Sequence, residues 1–275
     1  MRRLSSALFV LLFVGLAGML PSTARAQQSR VVDDDEWCDR NGWAYNSDSE
    51  RYCEVREITL RANRDLVAID GRQNGGIRVA GWDRDEILVR ARVMAHARTE
   101  SAAQRLAEDV EIRTDNTIYA DTPEAGRKEW TSVSFQVFVP RRSNLSLETH
   151  NGGISIENVE GNVDFDALNG GVSLADLAGD VRGETTNGGV TVELSGSAWR
   201  GDGMDVRTTN GGVEIYVPDG YDAHLETGTV NGKLYFDFPV MLQGRLDRRI
   251  STDLGRGGQP IRIATTNGSV EIRRG

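Results

Sequence analysis

TTNGGVTVEL, residues 185–194, sets a Thr-Thr-Asn-Gly-Gly corner ahead of a run in which Val190 and Val192 alternate with polar residues. Asn-Gly-Gly also follows His150 and Leu168, and close variants return at Asn210, Asn231 and Asn267, with an earlier outlier at Asn74. Counted from Asn151 through Asn169, Asn187, Asn210, Asn231 and Asn267, the gaps are 18, 18, 23, 21 and 36 residues, the last twice the first. A near-constant period of this length marks a repeat architecture.

Other columns keep step with the asparagine. Three places on stand Ile154, Val172, Val190, Val213, Leu234 and Val270, and two further Ile156, Leu174, Val192, Ile215, Phe236 and Ile272. Polar residues lie between them, the alternation of a strand with one buried face. Upstream, Leu145, Val163, Val181, Met204, Leu225 and Ile261 mark a second strand in each period. Hairpins would explain Asn-Gly, since both residues tolerate positive φ, but not the return of the same residue type to the same place. In a β-solenoid each coil lies on the one before it at the ~4.8 Å strand spacing, and like residues form ladders. Thr149, Thr185, Thr208, Thr229 and Thr265, two places before the asparagines and broken only at Ala167, extend that pattern. Stacked threonines and asparagines are expected to hydrogen-bond along the axis. The expected fold is therefore all-β: a single-chain β-solenoid of short strands with Asn-Gly turns, an antiparallel sandwich being the alternative.

Four segments follow. Residues 1–26 read as a signal peptide: Arg2 and Arg3, an apolar run from Ala7 to Leu20, then Ala24-Arg25-Ala26. A membrane anchor is the rival, but the run is short for a span and Pro21 closes it. Residues 27–54 are polar and hold both cysteines, Cys38 and Cys53. A sequence-local pair in an exported chain points to a disulfide; a zinc site lacks nearby histidine. Residues 55–140 repeat the strand, Asn-Gly-Gly, strand rhythm less regularly, and 141–275 carry the regular coils. Within 100–112, ESAAQRLAEDVEI sets Ala103, Leu106, Ala107 and Val110 on one helical face, with Ser101 and Gln104 as a capping box. This short helix is placed to cover the open end of the stack.

The run VPRRSNLSLETHNGGISIENVEGNVDFDALNGGVSLADLAGDVRGETTNGGVTVEL, with CEVREITL near the start, resembles an exported bacterial β-strand-repeat family known as the putative adhesins, a domain of unknown function. The resemblance spans roughly residues 55–275. It implies a β-solenoid and an envelope location, and supplies no catalytic residues.

Without its leader the chain loses three arginines and no acid, leaving 29 basic against 41 acidic groups, a net −12. Nucleic acid and anionic lipid are poor partners for such a surface. An envelope protein or surface glycan is the expected partner, and no membrane span is expected in the mature chain. His96, His150 and His224 belong to no recognisable nucleophile or zinc motif, no serine lies in Gly-x-Ser-x-Gly, and GRGGQP, residues 255–260, reads as a loop. One outward column, Glu148, Asp166 and Glu184 with Asp164 beside it, supplies the oxygen ligands calcium takes. A solvated acidic face is the favoured reading, since no calcium-loop pattern accompanies it. Trp37, Trp43, Trp82, Trp130 and Trp199 fall near turns, where rings can pack or stack on sugars. The expected function is a non-enzymatic envelope scaffold for binding or adhesion, with no cofactor. A polysaccharide-cleaving β-helix enzyme and an envelope-stress sensor are the alternatives.

Overall fold

The computed structural model describes residues 29–39, 49–62, 65–237 and 248–275; the expected leader and Trp43 lie outside the described residues. The less regular part contributes β1 (Arg30–Val32), α1 (Asp35–Asp39), β2 (Glu50–Arg61), β3 (Val67–Asp70), β4 (Ile77–Trp82), β5 (Glu86–Ala97), α2 (Glu100–Glu108), β6 (Glu111–Arg113), β7 (Thr117–Asp121) and β8 (Trp130–Pro140). The repeats give β9 (Leu145–Asn151), β10 (Ile154–Glu157), β11 (Glu160–Asn169), β12 (Val172–Ala175), β13 (Ala178–Asn187), β14 (Val190–Glu193), β15 (Gly203–Asn210) and β16 (Val213–Val217). The chain ends through β17 (Ala223–Asn231), β18 (Leu234–Phe236), β19 (Arg249–Leu254), β20 (Pro260–Asn267) and β21 (Val270–Arg274).

These strands build two mixed sheets. One runs β1-β2-β5-β8-β4-β10-β12-β14-β16-β21-β18, the other β19-β17-β20-β15-β13-β11-β9-β3-β7-β6. From β9 to β18 the chain alternates between them, so each period leaves one strand in each sheet. Neighbouring repeats pair in parallel, residue on residue: Ile154 faces Val172, Val172 faces Val190, and Val190 faces Val213. In the other sheet Leu145, Val163, Val181 and Met204 align in the same way. Both columns are almost wholly excluded from water and join one core cluster. Each such side chain contributes about 1.5–3 kcal/mol by burial. Strands β3 and β4 continue the two sheets, pairing in parallel with β9 and β10.

The asparagines form a continuous ladder along the corner. Asn151, Asn169 and Asn187 each donate Nδ2 to the Oδ1 of the asparagine below, at 3.3, 2.8 and 2.8 Å, starting from Asn74. Asn210 continues it at 2.8 Å. The threonines behave differently from expectation. They do not bond one another: Thr149, Thr185 and Thr208 are buried and donate Oγ1 to the carbonyls of Gly75, Gly170 and Gly188. A buried hydroxyl here satisfies a backbone acceptor that the corner leaves free.

The glycine after each asparagine is not there for positive φ, since none adopts it. It is there because the coils touch. A Cβ at Gly170 would lie 2.0 Å from the carbonyl oxygen of Gly152, and one at Gly188 the same distance from that of Gly170. Backbone lies on backbone at this corner, and any side chain would force the coils apart.

The order of coils also corrects the simple expectation. The strands carrying Asn267 are not the last layer: β20 lies between β15 and β17, and β21 between β16 and β18. The ladder runs Asn210, Asn267, Asn231, each step 2.8 Å. The 36-residue gap is therefore no doubled period. It contains β19, which pairs antiparallel with β17. Equivalent coils carry the same column residues, so register permits either order and the connections decide. The outermost Leu234 and Phe236 are in consequence only half-buried.

At the other end the first sheet extends through antiparallel β8, β5, β2 and β1, and α2 packs on β5 and β2. Ala103 and Ala107 are fully buried there, with Leu106 against the core. The cap is Thr99, whose Oγ1 accepts from the Ala102 amide at 3.3 Å, rather than Ser101 with Gln104. Ser101 lies inside the first turn, two residues past the cap and too late for the capping geometry. Arg56 of β2 closes the far end by donating to the carbonyls of Ala107 (2.7 Å) and Val110.

Candidate functional site

The parallel sheet β3-β9-β11-β13-β15-β20-β17 presents the outward columns in which chemistry would have to sit. Its register places Glu148, Asp166 and Glu184 on successive strands, as their spacing implies, and adds Asp70 at one end and Arg207 at the other. Glu148, Asp166 and Glu184 are all exposed, and among the described residues no group of three His, Cys, Asp or Glu is disposed to hold a metal ion. The neighbouring column alternates in sign: Asp164, Arg182, Asp205, Arg262, Glu226. Its arginines are tied down, Arg182 to Asp180 at 2.7 Å and Arg262 to Glu226 at 2.9 Å, and Arg207 of the first column pairs with Asp205 at 3.0 Å. The face thus passes from acidic to ion-paired along the stack.

Where β19 joins the sheet, the pattern changes. In β19 Ile250, Thr252 and Leu254 turn inward, so Arg249, Ser251 and Asp253 point out. Antiparallel pairing sets Asp253 opposite His224 and Ser251 opposite Glu226. His224 then bridges the two strands: Nδ1 lies 2.7 Å from Asp253 Oδ1, and Nε2 lies 3.0 Å from Ser251 Oγ. Glu226 Oε1 is 3.7 Å from the same Nε2, and the hydrogen bond from Arg262 holds the Glu226 carboxyl below the ordinary carboxylate range. The loop 255–260 fastens this arrangement from behind. Arg256 gives its amide to Asp222 Oδ1 (2.7 Å) and its guanidinium to Oδ2 (2.9 and 2.6 Å), two residues before His224. Gly255 and Gly257 allow the turn by adopting φ of 56° and 76°. A groove of about 680 Å³ runs over β15, β20, β17 and β19, with Ser251, Arg207, Arg249 and Arg262 in its wall.

Sequence motifs did not reveal this cluster, because 27 residues separate His224 from Ser251. The signal was the alternation in Arg249–Leu254, a strand inside the long gap. The remaining histidines are placed differently. His150 is exposed at a corner. His96 is buried and stacks on Trp130 with ring centroids 4.0 Å apart, and its Nδ1 has no hydrogen-bond partner among the described residues. Burial, aided by the Arg51 charge, pushes its pKa down.

Cys38 and Cys53 form the disulfide, tying α1 to β2. It holds Trp37 beneath Arg90 and Arg92, each guanidinium 5.5 Å from the ring. Trp82 stacks on Phe138, and Trp199 is buried with Nε1 donating to the Gly179 carbonyl. These rings are occupied by protein.

The molecule is thus a mostly β protein of two mixed, largely parallel sheets with one short capping helix. No protein-family model matches the chain, and no curated protein matches it. Among solved structures it is similar to one described as a putative cell adhesion protein from Clostridium sporogenes (TM-score 0.46, 9% identity, 82% of this chain and 100% of that one). It is also similar to a putative adhesin from Bacteroides fragilis (TM-score 0.38, 12% identity, 81% and 97%). A third is described as a putative lipid binding protein from Parabacteroides distasonis (TM-score 0.34, 12% identity, 82% and 97%). Likenesses this distant assign no function.

Proposed function

We propose that the chain is an exported β-solenoid rod that binds or assembles in the cell envelope through its sheet faces, its repeated coils performing no chemistry. The observation that carries this reading is the unbroken ladder from Asn74 to Asn231. Ladder, glycine corner and aliphatic columns use the recurring positions of each period for rigidity, which leaves flat, solvated faces as the working surface. The acidic column favours a partner with donors to offer, an envelope protein or glycan, and disfavours nucleic acid. The Cys38–Cys53 bond fits an oxidising compartment. No helix among the described residues is long and apolar enough to cross a membrane.

The test is co-sedimentation of the periplasmic protein with envelopes from a strain lacking its gene. The expected result is saturable binding by a species whose intact mass begins at Gln27. Binding that never saturates would refute the reading. Changing Glu148, Asp166 and Glu184 together to serine then tells whether the acidic face makes the contact.

A further inference from the structure

We infer that Ser251, His224 and Asp253 form a nucleophilic site for small carboxylic esters, at the end of the rod where β19 departs from the parallel stack. Three observations carry this. The contacts have the polarity acyl transfer needs: a hydroxyl 3.0 Å from one imidazole nitrogen and a carboxylate 2.7 Å from the other. The cluster does not belong to the repeat, since it exists only because β19 runs antiparallel to β17 and because the Arg256–Asp222 clamp fixes the loop behind it. And Ser251 lines the 680 Å³ groove, which gives an acyl group room beside the hydroxyl.

The groups around the imidazole sort into roles. Asp253 accepts from Nδ1–H and selects the tautomer that leaves Nε2 free to accept. Glu226 also faces Nε2, but at 3.7 Å and bound by Arg262 it is held away from competing for the proton. Pro260, the residue paired with His224 on its other side, brings no charge. Arg249 projects outward two residues before Ser251 and makes no ion pair among the described residues, which leaves its guanidinium available to an oxyanion. Asp253 is 64% exposed, so the site is open and suits an acyl group displayed on a larger molecule.

The chemistry balances without a further reactant. Ser251 Oγ bonds to the acyl carbon as its proton passes to His224 Nε2. The carbon–oxygen bond to the alcohol breaks, and the imidazolium returns that proton to the leaving oxygen. Water, deprotonated by the same nitrogen, then attacks the acyl-serine to release the acid and restore the hydroxyl.

The experiment uses the purified mature protein, a fluorophosphonate probe and p-nitrophenyl acetate. The expected result is one adduct by intact mass, mapped to Ser251, and ester hydrolysis above buffer. Ser251→Ala should abolish the adduct and lower kcat/KM by about 10²-fold or more, as should His224→Gln. Asp253→Asn should lower kcat with little change in KM, because it alters the imidazole and not the groove. All three positions lie on the outer sheet surface, and unchanged circular dichroism and melting temperature show that each variant is folded. No adduct on wild-type protein, an adduct elsewhere, or full hydrolysis by Ser251→Ala would overturn the inference. Binding to envelopes is a separate measurement, so failure here leaves the rod's proposed role standing.

Discussion

The glycine corner supports a paired prediction on adjacent residues. In Asn169-Gly170-Gly171 both glycines have φ outside the left-handed region, so backbone strain is the same for both. Their surroundings differ. An alanine Cβ at Gly170 would sit 2.0 Å from the Gly152 oxygen, some 1.4 Å inside the 3.4 Å where ordinary contact begins. At Gly171 the nearest atom is the Gly189 oxygen at 3.5 Å, already an ordinary contact. Relief at Gly170 requires the coils to part by about an ångström. The bonds across that gap, Gly152 N to Asn169 O at 3.1 Å and Ile154 N to Gly171 O at 3.0 Å, would then exceed hydrogen-bonding distance. Two bonds at about 1 kcal/mol each and about 1–3 kcal/mol of overpacking strain give a cost near 3–5 kcal/mol for Gly170→Ala. Gly171→Ala should be neutral or stabilise by about 0.5 kcal/mol, through lost freedom of the unfolded chain. Urea denaturation of the two variants, compared at equal slope, reads the difference. If the two fall within about 1 kcal/mol of each other, backbone contact is not what the corner glycine serves.

The face assignment yields a second pair: Val190→Asp buries an unpaired charge at a position 1% exposed and should cost several kcal/mol, whereas Thr191→Asp on the outer face should cost under ~0.5 kcal/mol, read by chemical melts. His96 supplies a pH dependence. Its folded pKa lies below the ordinary 6.5, so the unfolded chain binds the proton first and stability is lost as pH falls below about 6.5 toward the folded value. His96→Phe, which keeps a ring against Trp130, should flatten that part of the stability–pH curve; an unchanged slope would exclude His96 as its source.

Much of this architecture can be read from periodicity because a stacked strand makes each column answer to the same surroundings. Val172, Val190 and Val213 meet each other directly, so like residues recur and the two-strand period becomes visible. The acidic column is legible for the same reason. What periodicity cannot show is which coil lies beside which, since coils with interchangeable columns fit in either order. The placement of Asn267 between Asn210 and Asn231 depends on β19, and a single antiparallel strand leaves no repeat to detect. Ser251 and His224 were hidden with it, as were the Thr99 cap and the threonine-to-carbonyl bonds, which depend on local geometry rather than residue type.

The interleaved coil bears on how a chain that folds in the order of its sequence would reach this shape. Coils from β9 to β16 each find their neighbour already delivered, so that stretch can zip up vectorially. The coil of β17 and β18 cannot, because its partner on the β15–β16 side is β20 and β21, which arrive about thirty residues later. Until then β17 and β18 must wait with strand edges open, a window for mispairing or chaperone engagement. Completion of the two sheets is thus a wedging event by a late segment rather than one more step of growth.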